Sequence, residues 1–262
     1  MPDAVFPYPG GKSRFASWIL SHVPEHECFV TVFGGAAGVL VNKDPSTSTV
    51  EVYNDKDGDL VHFFETLREQ RAELVEWLEA VPYSREIHGR WAELFFRGYR
   101  PLDDVERAGR FFYLRYSQFG AKCSDPGGFG TSKVSNQALS YSNKVDRLHE
   151  FAERFEDVVV ESLDWSEVFD KYDQPETVFY CDPPYVGSED AYPVSDIDHE
   201  ELVQQIKTLD GRCICSYDEL PENVDGLHLV GRDEKRFLGN GVSGSTKVAR
   251  ENLLMNFDPE TA

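Results

Sequence analysis

Short apolar runs alternate along the chain with longer stretches in which apolar residues recur every three or four positions. The runs at 28–33, 49–53, 158–161, 177–181, 212–216, 227–230 and 253–257 read as strands, most of them short and apolar as buried strands are. Leu60, Phe63, Phe64, Leu67, Leu74, Val75 and Leu78 mark one helical stripe, and Leu202, Val203, Ile206 and Leu209 mark another. Asp198, with Glu201 three residues on, reads as the start of the second helix, while Pro24 and Pro82 bound the flanking ones. This alternation predicts the α/β class, a parallel sheet with helices on both faces.

The second and third strands are separated by about a hundred residues, far more than a crossover helix needs. An insertion starting near Ser84 is expected, carrying arginine and aromatic-rich helical patterns and the glycine-rich stretch 120–133. Its charge differs from that of its surroundings. The chain carries a formal −21, yet residues 84–122 hold eight basic against five acidic side chains, +3, leaving −24 for the rest. A positive segment in an acidic chain is where phosphates would be met. The acidic remainder resembles proteins of salt-loving organisms, in which surface carboxylates maintain solubility.

Composition bounds the rest. No apolar run approaches the roughly eighteen residues of a membrane span, and the first residues lack the layout of a signal peptide, so no membrane partner and a cytoplasmic location are expected. The five cysteines are odd in number and show no Cys-x-x-Cys spacing, which predicts neither a disulfide framework nor a metal site.

Three motifs carry chemistry. Asp182, Pro183, Pro184 and Tyr185 follow directly on the apolar strand 177–181, at the carboxyl end where open parallel sheets bind ligands. The prolines fix the backbone, the Asp carboxylate and a peptide carbonyl form paired acceptors, and the Tyr ring offers a stacking plane. An exocyclic amino group on a planar base needs all three. Phe33, Gly34, Gly35 and Ala36 end another apolar strand, where small residues let the backbone approach a ligand and turn into a helix. Asp55 follows the next strand, where a carboxylate can accept from both ribose hydroxyls of a nucleoside cofactor. The segment Tyr8, Pro9, Gly10, Gly11, Lys12 and Ser13 superficially suggests a phosphate loop, but it lacks the spacing and the preceding strand of one.

Together these motifs resemble the Dam-like N6-adenine DNA methyltransferases, of the class ordered cofactor motif, target recognition, catalysis. The resemblance spans nearly the whole chain. It implies that Tyr8, Gly10, Gly11, Lys12, Phe33, Gly34, Gly35, Ala36, Asp55 and Asp182 bind S-adenosylmethionine, and that Asp182, Pro183, Pro184 and Tyr185 carry catalysis without a metal. Further matches are Phe112, Tyr113 and Leu114, the pair Asp198 and His199, the run 215–218, and the closing run 251–257. One departure is plain: where the family usually has Glu-Pro before the Phe, Thr31 and Val32 stand here.

The resemblance also implies a Rossmann-like S-adenosylmethionine-dependent methyltransferase sheet, built from 1–83 and 148–262, with an inserted, mostly helical target-recognition domain at 84–147. Double-stranded DNA is the implied partner, with Arg110, Arg115, Lys122 and Lys133 as contacts, the protein acting as a monomer and in some settings beside a paired restriction endonuclease. Two alternatives stay open: an amino-methyltransferase acting on cytosine N4 or a glutamine amide, and a homologue that binds DNA without turnover.

Overall fold

The computed structural model describes residues 3–119, 125–187, 192–237 and 246–261, with backbone alone at 234–237 and 246–249. Seven strands among them form one sheet: β1 Cys28–Thr31, β2 Val50–Asn54, β3 Val158–Glu161, β4 Thr177–Cys181, β5 Arg212–Tyr217, β6 His228–Phe237 and β7 Thr246–Met255. Their order is β3-β2-β1-β4-β5-β7-β6. The first five are parallel, and β7 runs antiparallel to both β5 and β6. This is the mostly parallel, Rossmann-like arrangement that the resemblance implies, within the α/β class that the strand–helix alternation predicts. From β1 the chain winds outward to β2 and β3, then returns to β4 on the other side of β1. The carboxyl ends of β1 and β4 therefore flank a switch point, where such sheets bind ligands.

The strands form where expected because the central ones are buried on both faces. All five residues of β4 are buried. Side-chain alternation divides them between two cores: Phe29, Val178 and Tyr180 pack on one face, and Val30, Phe179 and Cys181 on the other. The first core lies under helices α2 Gly58–Glu69, α3 Arg71–Glu79, α4 Arg85–Phe96, α5 Asp104–Ser117, α6 Gln137–Asp146 and α7 Leu148–Arg154. The second lies under α8 Trp165–Tyr172 and α9 His199–Ile206. Asp198 caps α9 by accepting from the Glu201 N–H at 3.0 Å. A short helix α1, Ala16–Leu20, follows the lysine-bearing segment.

Among the helices of 84–147, α5 sends Phe111 and Phe112 to join Phe6, Phe63 and Phe64 in the first core, with Phe63 and Phe112 stacked 5.8 Å apart. The last two strands are longer than expected, each spanning ten residues. β5 stops at Tyr217 opposite Asn252, while β6 and β7 keep pairing from Arg232 with Glu251 out to Phe237 with Thr246. The added length is a two-stranded ribbon running past the carboxyl end of β5, on the side of the switch point.

Candidate active site

The Gly-Gly-Lys segment delivers Lys12 to the centre of the molecule. The residue is 4% exposed, and a buried ammonium requires partners. Its Nζ donates to the Gly10 carbonyl at 2.7 Å and to Asp182 Oδ1 at 2.8 Å, stands 3.7 Å from Glu251 Oε1, and lies 4.6 Å above the Tyr185 ring. Gly10 thus serves this site through its carbonyl. The segment positions a cation and is no phosphate loop.

The glycine motif leaves β1 as a tight turn. A Cβ at Gly34 would lie 2.2 Å from the Tyr53 ring, and Gly35 has φ +51°, so each position favours glycine for its own reason. The Gly35 N–H donates to Asp55 Oδ2 at 2.8 Å, and the Asp57 N–H to Asp55 Oδ1 at 2.9 Å. The acid expected at the ribose therefore also braces the glycine turn. Burial pushes the Asp55 carboxyl up to about 7, against the pull of those N–H bonds. In place of the helix expected after this motif stand two 3-10 turns, Leu40–Asn42 and Pro45–Thr47, and Asn42 donates to the Gly38 and Asp3 carbonyls at 2.7 Å each.

At the end of β4, Pro183, Pro184 and Tyr185 are buried and Asp182 is half-buried. The Tyr185 hydroxyl donates to Glu251 Oε1 at 2.5 Å. Burial raises the Asp182 carboxyl, and the Lys12 ammonium opposes this. Thr31, at the position the family gives to an acid, is buried and donates its hydroxyl to the Val52 carbonyl at 3.1 Å. It meets the neighbouring strand as a neutral group and satisfies a carbonyl there.

One cavity brings together part of each motif, with Gly10, Pro183 and Tyr185 outside its lining. Tyr8, Gly11, Lys12, Asp182 and Pro184 line it with Phe33, Gly34, Gly35, Ala36 and Asp55. Sequence reasoning missed part of its wall. Leu163 and Trp165 come from the start of α8, and Tyr192 and Ile197 from the segment returning toward α9. None of these belongs to a motif; only the fold brings them near.

The DNA-contact expectations fare differently. Arg115 is 1% exposed, lying 5.2 Å from the Phe111 ring centroid and donating to Gln118 at 3.2 Å. A guanidinium enclosed by α5 and its neighbours cannot reach a phosphate, so its assignment as a DNA contact is corrected. Arg110 is partly buried, bonded to Glu106 at 2.6 Å and placed over Trp91. Lys133 is exposed, and Lys122 lies outside the described residues. On the projecting ribbon Arg232 and Arg250 are exposed.

Comparison with known proteins bears on the family. A family model described as D12 class N6 adenine-specific DNA methyltransferase matches residues 8–212, from the Tyr8 segment into β5. The Type II methyltransferase M.CviBI of Paramecium bursaria Chlorella virus NC1A is 21% identical over 264 residues, covering 95% of this chain and 98% of that protein. Among solved structures, a conserved hypothetical protein from Streptococcus pyogenes aligns over 94% of this chain and 93% of its own with a TM-score of 0.38 and 8% identity. The family match spans most of the chain and contains the lysine segment, the glycine turn, Asp55 and the Asp182 tetrapeptide: the chain belongs to the D12 class of N6 adenine-specific DNA methyltransferases.

Proposed function

We propose that the enzyme takes its methyl group from S-adenosylmethionine and delivers it to N6 of an adenine rotated out of duplex DNA. The observation supporting this is the shared cavity at the β1–β4 switch point, where the glycine turn, Asp55, Lys12 and Asp182 meet. The residues present fit such a donor. The glycine turn permits close backbone approach, Asp55 offers carboxylate lone pairs to ribose hydroxyls, and Phe33, Leu163, Trp165 and Ile197 give apolar surface for a purine. With Thr31 neutral, Asp57 and Asp196 are further carboxylates on the wall to meet the donor's ammonium.

When bound, S-adenosylmethionine supplies a methyl group already activated by its positive sulfur. The chain's own residues supply orientation. Extruding the base costs a few kcal/mol of unstacking. Asp182 and the Pro183 carbonyl accept the two amino hydrogens and aim the nitrogen lone pair, while Tyr185 stacks on the ring. For the amine to gain positive charge, Asp182 has to be ionised, and burial alone works against that. Lys12 at 2.8 Å keeps the carboxylate form accessible.

Duplex DNA would lie across the mouth of this cavity, with exposed Lys133, Arg232 and Arg250 near phosphates. A role beside a restriction endonuclease, in keeping with the relative's Type II name, belongs to the same proposal. Expression in a methylation-free host followed by mapping of modified bases tests it. N6-methyladenine at a defined site is expected; N4-methylcytosine or unmodified DNA would overturn it.

A further inference from the structure

Glu251 is 1% exposed, on the strand β7 beside β5, at the head of the closing run and outside the three motifs that carry chemistry. A buried carboxylate is rarely retained for stability alone, since an apolar residue of similar size serves packing as well or better. Two of its contacts lead into the site. Oε1 accepts the Tyr185 hydroxyl at 2.5 Å, in the range of a charge-assisted bond, and lies 3.7 Å from Lys12 Nζ. Lys12 in turn bonds Asp182 and lies over the Tyr185 ring. One lysine thus stands between two carboxylates, and Glu251 holds the far end of the aromatic ring.

We infer that Glu251 is a positioning residue: by anchoring the Tyr185 hydroxyl and sharing Lys12 with Asp182, it sets the plane on which the extruded base rests and the direction in which the Asp182 carboxylate faces. This rests on the proposed role of Tyr185 as the platform for the base. A tyrosine ring has only two side-chain torsions. Fixing its hydroxyl therefore sets the plane of the ring before the base arrives. Phenylalanine at 185 would preserve stacking area and lose the anchor, which separates positioning from contact.

The test compares Glu251→Gln, Tyr185→Phe and the double variant in single-turnover methylation of duplex DNA, beside donor titration and urea unfolding. Each single variant should slow methyl transfer by about ten- to a hundred-fold, as loss of a charge-assisted hydrogen bond does, with donor affinity within about two-fold. The double variant should be no slower than the slower single, since Glu251→Gln takes the charge from the bond that Tyr185→Phe removes outright. If Glu251→Gln fails to fold, Tyr185→Phe interrogates that bond from its other end. Parent rates in Tyr185→Phe, or additive losses in the double variant, would overturn the positioning role alone. A parent protein that methylates no DNA adenine would take the proposed function down with it.

Discussion

Lys12 and Asp182 form a 2.8 Å ion pair that couples the amino-terminal glycine-lysine segment to the tetrapeptide after β4. Lys12→Met should leave the Asp182 and Glu251 carboxylates without their shared cation. We expect a loss of stability on the order of 2 to 3 kcal/mol, at or below the low end for broken buried pairs because the Asp182 side chain is 19% exposed. Adding Asp182→Asn should restore part of that stability but no activity. Urea unfolding of the three proteins checks this, and a Lys12→Met variant as stable as the parent would show the pair to be incidental.

Asp55 makes donor binding depend on pH. Its folded-state carboxyl titrates near 7, against 3.8 ordinarily, so the proton favours the folded protein. Stability from this group is complete below pH 4 and is lost as pH rises through 7. Donor binding should run the other way, strengthening between pH 6 and 8 as the carboxylate that accepts the ribose hydroxyls forms. Asp55→Asn should weaken binding and flatten both profiles. Calorimetric titration across that range is the measurement; a parent profile that matches the Asn variant would remove Asp55 from the donor site.

Much of this site is legible in the sequence because its key residues follow apolar strands. β4 is readable at its observed bounds since both of its faces are buried, and the tetrapeptide after it then falls at the carboxyl edge. Other parts are not. The ribbon formed by β6 and β7 is exposed at 231–233 and Arg250, so it shows no apolar alternation to read. Helix α5 buries Phe111 through Arg115 consecutively because neighbours surround it, and periodicity cannot show that an arginine in such a helix faces inward. Tyr192 and Ile197 reach the cavity only because the chain folds back after the tetrapeptide. Glu251 is visible as part of a closing run, but its meaning comes from proximity to Tyr185.

Burial of Arg115 alters what its replacement should do. Arg115→Ala is expected to destabilise the fold by about 2 to 4 kcal/mol through lost packing and polar partners, leaving the salt dependence of DNA binding unchanged in protein that remains folded. Reversal of exposed Arg232 and Arg250 to Glu should instead weaken DNA binding and make its dependence on salt shallower by about one to two in log–log slope. Binding isotherms at several salt concentrations separate the two behaviours. Superimposed isotherms for the parent and the double reversal would place the DNA elsewhere.

The charge of −21 gives a further expectation. Screening relieves repulsion among crowded carboxylates, so the melting temperature should rise from low salt to molar potassium chloride. A flat or falling melting temperature would contradict adaptation to salt.

The account depends most on Asp182 as the group that orients the adenine amine while the donor is held mainly by the glycine turn and Asp55. The direct measurement is single-turnover methylation of duplex DNA by Asp182→Ala and Asp182→Asn, with donor affinity titrated in parallel. Asp182→Ala should lose methyl transfer while binding donor within a few-fold of the parent. Asp182→Asn, which keeps the shape and one acceptor but removes the charge, should also be severely slowed. Methylation at the parent rate by Asp182→Ala would contradict the central claim.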